Sequence, residues 1–346
     1  MLTWAQVEPA LPKVGQAAQV DAWALAEGHM KEISANPDQV LLPQSEWPAR
    51  FEQTRVLIQN DEEWDKLCTG LWARGVIRPM DDSEVIRDQH GMPLAGGLFG
   101  IGKGKFIQDA PVQELQEVLR LICNFPPSNA VQIKVEGDVG GLPYQGNWQF
   151  ISVGKESTLL WHSEDMVSCF WLFFLPKVWG KLFMINKLAK GSIFGLAAEL
   201  VPICLTVIPM GWISAVGIVQ YLHRRLVKLS ESVPRHLELR RDGLAPTDRD
   251  FNMSEFYEVY VDNLDGGESA TGGPARFWLA AQQSDLQRWI LAVRSTGEQL
   301  GNVYAEDEKR VQGAWSGQNI GAEIDSRKKE IRPLVCRSLE LMGQTF

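Results

Sequence analysis

Apolar and polar positions follow several different rhythms along this chain. From Glu62 to Gly75 the spacing is helical, with Trp64, Leu67, Leu71 and Trp72 on one side. Another amphipathic helix is expected near Gln16–Ile33, within a mixed stretch covering residues 1–45. Glycine then dominates. Gly91, Gly96, Gly97, Gly100, Gly102 and Gly104 read as a loop-rich segment, and Gly137–Gly146 reads as a second glycine-rich loop. Gln113–Leu121 reads as a short helix or a passage from helix to strand. Thr158–Pro176 begins polar and becomes a strand followed by an apolar helix or turn. Gly211–Leu229 reads as a helix whose basic residues lie at its end, where the dipole favours them. Phe256–Asp262 alternates and is rich in β-formers, so it predicts a strand, with Asn263-Leu264-Asp265-Gly266-Gly267 as the turn after it. Ala275–Leu300 is largely helical, with Trp278, Leu286, Trp289, Ile290 and Val293 on its apolar side. Short strands near Ile320–Ile324 and Ile331–Leu334 suggest a hairpin. Helix and strand mix without a regular βαβ rhythm or an internal repeat, so the fold class is α+β.

Composition narrows the picture. A chain of 346 residues suits two domains, or one with subdomains. Thirteen tryptophans are unusual; they serve burial or base stacking, with burial the ordinary role. A net charge of −9 argues mildly against a generic nucleic-acid binder. Two local basic stretches could still track phosphates: His223, Arg224, Arg225, Lys228, Arg235, His236, Arg240 and Arg241, and then Arg327, Lys328, Lys329 and Arg332. The bland reading of both is solvated surface. The scattered cysteines Cys68, Cys123, Cys169, Cys204 and Cys336 fit reduced thiols. The N-terminus lacks the basic-then-apolar layout of a signal peptide, so the expected location is cytoplasmic or nuclear, not secreted. Met166–Phe183 and Ile193–Leu222 are apolar enough to imitate membrane spans, but Pro176, Lys177, Glu199, Pro202 and Pro209 interrupt them, and buried core explains them more simply. No HExxH, Walker A loop or Gly-x-Ser-x-Gly elbow is present, and five scattered histidines offer no triad.

Three segments carry candidate chemistry together. In Ser163-Glu164-Asp165-Met166-Val167-Ser168-Cys169-Phe170 an aspartate stands at a strand end, and an aromatic residue follows five positions later. Ile208-Pro209-Met210-Gly211-Trp212 is a Pro-x-Gly turn opening a helix, and Tyr260-Val261-Asp262-Asn263 is an acidic turn at the tip of a hairpin. Phosphoryl transfer needs anionic ligands that hold divalent metals about 3.5–4 Å apart. Mg²⁺ prefers one or two carboxylates plus waters and phosphate oxygens. An aspartate on each of two neighbouring strands can meet that need.

In this order the segments resemble motifs A, B and C of the reverse transcriptase palm, with Tyr260-Val261-Asp262-Asn263 similar to the Tyr-x-Asp-Asp box. Arg120-Leu121-Ile122-Cys123-Asn124-Phe125-Pro126-Pro127-Ser128-Asn129 resembles the fingers motif, and Gly97-Leu98-Phe99-Gly100-Ile101 resembles the segment before it. Glu308-Lys309 and Ile320-Gly321-Ala322-Glu323-Ile324-Asp325 resemble motif D and the primer-grip hairpin of retrotransposon enzymes. The resemblance runs from about Trp64 to Leu341. It implies RNA-directed DNA synthesis by two-metal nucleotidyl transfer, with Mg²⁺ or Mn²⁺ as cofactor. The partners would be an RNA or DNA template with primer and deoxynucleoside triphosphates, with no membrane.

The implied organisation is an unassigned extension over residues 1–49 and a right-hand polymerase over 50–346. Fingers would span about 50–160 and 180–208, and the palm, on an antiparallel sheet, about 160–180 and 209–346, with the thumb largely absent. Asp165 and Asp262 would be metal ligands, with Asn263 beside them. Phe170 would reject a ribose 2′-hydroxyl by bulk; core packing is its plain alternative. Gly211, after Met210, would let backbone approach the nucleotide or template, or is only a helix-start glycine. Arg120 would pair with the triphosphate, or is a surface charge. Lys103 or Lys105 could serve the same phosphates. Tyr260 joins the nucleotide-binding set, and Lys309 would protonate pyrophosphate or is an exposed helix lysine.

Two departures matter. Asn263 replaces the second aspartate of the box, so the expected metal affinity is weaker or shifted toward Mn²⁺. The chain also stops at Phe346, before the family's thumb helices. The alternative expectation is therefore a truncated or decayed retroelement copy that keeps the fold and binds nucleic acid without catalysis.

Overall fold

Four antiparallel strands form the frame that carries the acidic residues, in the spatial order Glu255–Tyr260, Asn263–Thr271, Ser157–Asp165 and Val311–Ala314. The computed structural model describes residues 1–107, 116–271, 284–301, 303–304, 310–319, 322–325, 328 and 330–333. The architecture is mixed α+β with several separate sheets. The chain divides into two units, one of Met1–Gly137 with Ser168–Ile218, the other of Asp138–Val167 with Val219–Phe346.

In the second unit, alternation along the strands separates two faces. Leu159 and Trp161 share one face with Gly267 and Phe256, since Trp161 pairs with Gly267 and Gly267 with Phe256. This face builds a core with Trp148, Leu239, Met253, Ala322 and Ile324. Trp161 lies edge-on to both Trp148 and Phe256, at centroid distances of 5.7 and 6.2 Å. The other face receives the helix Asp285–Gly301, which buries Leu286, Ile290 and Val293. The predicted helical start from Ala275, including Trp278, lies outside the described residues. At the C-terminal end the expected hairpin is present as Ala322–Asp325 paired with Glu330–Pro333, and Ser316–Asn319 adds a third strand.

Asn263–Gly267 is not a turn. The reversal is confined to Val261 and Asp262, and Asn263 begins a strand paired on both sides. The glycines serve packing: a Cβ on Gly267 would stand 2.8 Å from the Phe256 ring, and one on Gly266 2.9 Å from Leu286.

The first unit holds a five-stranded sheet in the order Ile77–Pro79, Ile203–Leu205, Met184–Ile185, Ala95–Phe106 and Glu117–Asn124. Here again the expected glycine loop is a strand. Gly97 lets the chain approach Arg55, whose carbonyl oxygen would lie 2.2 Å from an added Cβ. Gln113–Leu121 was expected to be partly helical; its described part belongs to the strand Glu117–Asn124. The helix Asp61–Ala73 forms as expected, capped by Asn60, whose side chain accepts from the Glu63 N–H at 2.9 Å. Trp64, Leu67 and Leu71 are buried, but Trp72 is 41% exposed and stands edge-on to Phe194.

The helix expected over Gln16–Ile33 is reduced to Gly28–Ala35. Left-handed backbone at Gly15 and Ala18 breaks it, and Val20–Asp21 pairs instead with Phe173–Phe174. Residues before 50 are woven into this unit: Leu2 and Leu57 share a 2.7 Å backbone bond, and the Trp4 N–H donates to Glu63 at 2.6 Å.

The tryptophans mostly serve the core. Trp23, Trp64, Trp148, Trp161, Trp171, Trp179 and Trp212 are buried. The apolar stretches 166–183 and 193–222 are divided among short elements, and no helix among the described residues is long and apolar enough to cross a membrane. Cys68, Cys123, Cys169 and Cys204 are buried thiols outside any disulfide. Burial pushes Cys123 and Cys204 up to about 12, so they behave as inert core groups.

Trp161→Ala should lower the unfolding free energy by about 3–5 kcal/mol. The measurement is the urea midpoint at constant slope; a midpoint indistinguishable from the parent's would remove Trp161 from the centre of this core.

Candidate active site

The ladder sets the site. Asp165, the last residue of its strand, pairs directly with Asn263, and Asn263 pairs on its other side with Tyr260. Directly paired residues point to the same face, so these three side chains emerge together at one end of the sheet. Asp262 lies in the two-residue loop between Tyr260 and Asn263. Its carbonyl accepts from the Met166 N–H at 2.8 Å, which ties the loop to the residue after Asp165.

Val261 precedes Asp262 with φ +55. Positive φ at the first loop residue is the feature of a type II′ hairpin, where glycine is usual. A β-branched side chain there costs on the order of 1–3 kcal/mol and needs compensation. Buried polar groups supply it. The Gln220 side chain accepts from the Val261 N–H and donates to the Val259 carbonyl, both at 2.7 Å. His223 Nδ1 lies 2.9 Å from the Val261 carbonyl oxygen, and its Nε2 lies 2.6 Å from the Tyr304 hydroxyl. A carbonyl can only accept, so Nδ1 carries the proton and Nε2 accepts from the tyrosine O–H. Gln220 and His223 stand three apart on the helix Ala215–Leu229, one turn of the same face.

More acid surrounds the turn. Asp265 is fully buried, and its carboxyl is held well above the usual range, first by burial and then by the charge of Glu258. A bond with Ser163 opposes this, while Asp165 and Asp262 add to it. Their negative field therefore reaches into the sheet. Glu164, next to Asp165, points to the other face and forms ion pairs with Arg294 at 3.0 Å and Arg310 at 2.8 Å. His162 accepts from the Gly313 N–H at 3.3 Å on that same face.

The remaining predicted residues divide between the units. Asp165, Asp262, Asn263 and Tyr260 belong to one; Arg120, Phe170, Met210 and Gly211 belong to the other. Arg120 is exposed on the strand Glu117–Asn124, and Phe170 is half-buried in the short helix Cys169–Leu172. Gly211 makes a close approach within its own unit, where an added Cβ would lie 1.8 Å from the Cys123 carbonyl oxygen. Asn129 secures the turn, donating to the Gly211 carbonyl and accepting from the Ile213 N–H, both at 2.9 Å. Lys309 lies outside the described residues.

Three members of the first basic stretch are engaged within the protein, while Arg235, His236 and Arg241 are exposed. His223 is wholly buried, and Arg224 is enclosed by Glu238 and Asp138. Arg240 pairs with Asp242. In the second stretch Lys328 pairs with Asp325 and Arg332 with Glu323.

The chain is similar to solved structures of the foamy viral protease-reverse transcriptase. One, in complex with double-stranded DNA, has a TM-score of 0.48 at 11% identity over 86% of this chain and 42% of its own. Another, in complex with an RNA/DNA hybrid, has a TM-score of 0.47 at 10% identity over 86% of this chain and 30% of its own. The chain thus spans less than half the length of these proteins. No protein-family model matches the chain, and no curated protein sequence does.

The sequence reading groups His223 with a basic stretch and Asp265 with a turn, and it singles out neither Gln220 nor Tyr304. Their signal was a polar residue inside an apolar helical or strand face: Gln220 and His223 interrupt Ile218, Val219, Leu222 and Leu226.

The buried histidines set a pH dependence. Burial pushes both His162 and His223 down to about 4 from 6.5. Above 6.5 both are neutral whether folded or unfolded, so stability is complete there. As pH falls from 6.5 toward 4, the unfolded chain takes up protons that the folded one refuses, and stability declines. Melting temperatures measured across that window should fall, and His162→Gln with His223→Gln should flatten the decline. An unchanged slope in the double variant would refute the assignment.

Proposed function

We propose that this chain is the catalytic part of a reverse transcriptase, extending a primer on an RNA or DNA template with deoxynucleoside triphosphates. The observation that carries the reading is the ladder register, which sets Asp165 directly across from Asn263 and next to the loop bearing Asp262. The order of segments resembling motifs A, B and C supports it, as does the sheet being antiparallel, as a palm requires. For Arg120, Phe170, Met210 and Gly211 in the other unit, and for Lys309, the reading rests on motif order alone.

The donor set fits a divalent cation held mainly by water and substrate oxygens. Among the described residues no group of three or more His, Cys, Asp or Glu is arranged to hold a metal. Two carboxylates with a neighbouring amide oxygen match Mg²⁺ or Mn²⁺, which keep waters and take up substrate phosphates. Asp165 and Asp262 would hold the ion, with Asn263 contributing a neutral oxygen. A bound ion supplies a lowered pKa for the primer 3′-hydroxyl and charge to offset the triphosphate. The chain's own contribution is geometric: the ladder fixes the strand end, and buried hydrogen bonds fix the loop.

Asn263 favours a second reading, a non-catalytic remnant of a retroelement that retains the fold and binds nucleic acid. Primer extension on an RNA template, in Mg²⁺ and then Mn²⁺, separates the two. The expected result is extension by the chain as it stands, lowered at least about 100-fold by Asp165→Asn, the order seen when a main electrostatic contribution is removed. Extension only by Asn263→Asp would establish the remnant reading. No extension by any of the three would overturn the polymerase assignment.

A further inference from the structure

One short segment is bonded to the backbone two residues past Asp165 and is linked through His223 to the backbone one residue before Asp262. The Val303 carbonyl accepts from the Val167 N–H at 2.9 Å, two residues beyond Asp165. The adjacent Tyr304 hydroxyl donates to His223 Nε2 at 2.6 Å, and His223 Nδ1–H holds the Val261 carbonyl at 2.9 Å, one residue before Asp262. Val303 is itself anchored, its N–H donating to the Gly297 carbonyl at 3.3 Å on the helix Asp285–Gly301. Tyr304 and His223 are 1% and 0% exposed, so the bond between them is shielded from solvent.

We propose that Val303–Tyr304, acting through His223, is a positioning element that sets the spacing and aim of Asp165 and Asp262 toward a divalent cation. The inference rests on the metal-holding reading above. The physical reason is that the two aspartates lie on separate backbone segments. One ends a strand; the other sits in a loop held in a conformation valine disfavours. The ladder pairing of Asp165 with Asn263 and the Met166 N–H bond to the Asp262 carbonyl tie the segments on one side, and the bridge adds a second tie from beneath. A bridge built on the buried Tyr304 and His223 side chains restricts the freedom that remains, because a partner lost in the interior is not readily replaced by water. Groups one step behind metal ligands commonly tune affinity in this way. Gly297 is the joint that allows it: an added Cβ there would stand 2.9 Å from the Tyr304 ring and 3.1 Å from Val303.

The test uses the full chain with Mn²⁺ alone, titrated by electron paramagnetic resonance. Tyr304→Phe removes only the hydroxyl, and His223→Leu removes the link. His223→Asn keeps an N–H for the Val261 carbonyl, and Ile290→Val lowers stability elsewhere on the same helix. The first two should weaken Mn²⁺ binding on the order of 10-fold, and so should His223→Asn, whose shorter side chain no longer reaches the Tyr304 hydroxyl. Ile290→Val should lower the melting temperature and leave affinity unchanged. Parental affinity in both Tyr304→Phe and His223→Leu overturns the proposal. If the parent shows no Mn²⁺ binding that Asp165→Asn removes, the metal reading fails instead. The positioning claim is then decided by the backbone amide ¹⁵N shifts of Asp165, Asp262 and Asn263. They should move in Tyr304→Phe and stay fixed in Ile290→Val; shifts unmoved in Tyr304→Phe overturn the claim.

Discussion

Val261 has a β-branched side chain on left-handed backbone, and the arrangement around Asp262 follows from what holds it there. A glycine would take this conformation freely. Valine instead makes the loop depend on its surroundings. Gln220 takes both the Val261 N–H and the Val259 carbonyl, and His223 takes the Val261 carbonyl. The helix Ala215–Leu229 therefore carries two polar residues on a face that is otherwise apolar. The cost of burying them is offset only because each hydrogen bond is made. Strain in the loop and polarity in the helix are two sides of one arrangement.

The same sheet combines tight packing with concentrated charge along one face. Toward one end, Trp161, Phe256 and Leu159 fill the core and need Gly267 to make room. Toward the other, the paired positions are Ser163 with Asp265 and Asp165 with Asn263. An apolar core beneath a carboxylate raises the energy of its charged form, and burial holds the Asp265 carboxyl well above the usual range. Asp165 and Asp262, at the half-buried rim, keep access to water and to whatever binds there.

What the sequence made legible was local and periodic. The strand ending at Asp165, the strand leading to Asp262 and the helix around Trp64 all follow from alternation or 3.6-residue spacing. Two strands were missed for one reason: Asn-Leu-Asp-Gly-Gly and the Gly91–Gly104 run have the composition of turns, while Gly266, Gly267, Gly96, Gly97, Gly100 and Gly102 make room for close neighbours. That distinction depends on partners distant in sequence, such as Leu286 for Gly266 and Arg55 for Gly97. His223 was grouped with exposed bases because its neighbours are Arg224 and Arg225; only the helix face reveals it as buried. The ion pair of Arg224 with Asp138 is equally invisible to composition, since Asp138 lies far away in the chain.

Asn263 takes on a definite physical meaning in this setting. Its side chain emerges directly opposite that of Asp165, where cross-strand Cβ atoms lie about 4.5–5.5 Å apart. A carboxylate there would join Asp165, Asp262 and the buried Asp265 in a small volume, and like charges directly opposite destabilise a ladder. Glu164, although ion-paired with Arg294 and Arg310, points to the other face and gives this cluster little relief. An amide keeps an oxygen available at the same place without adding to the repulsion. Compared with an aspartate at the same place, Asn263 offers less attraction for a cation and adds no repulsion within the sheet.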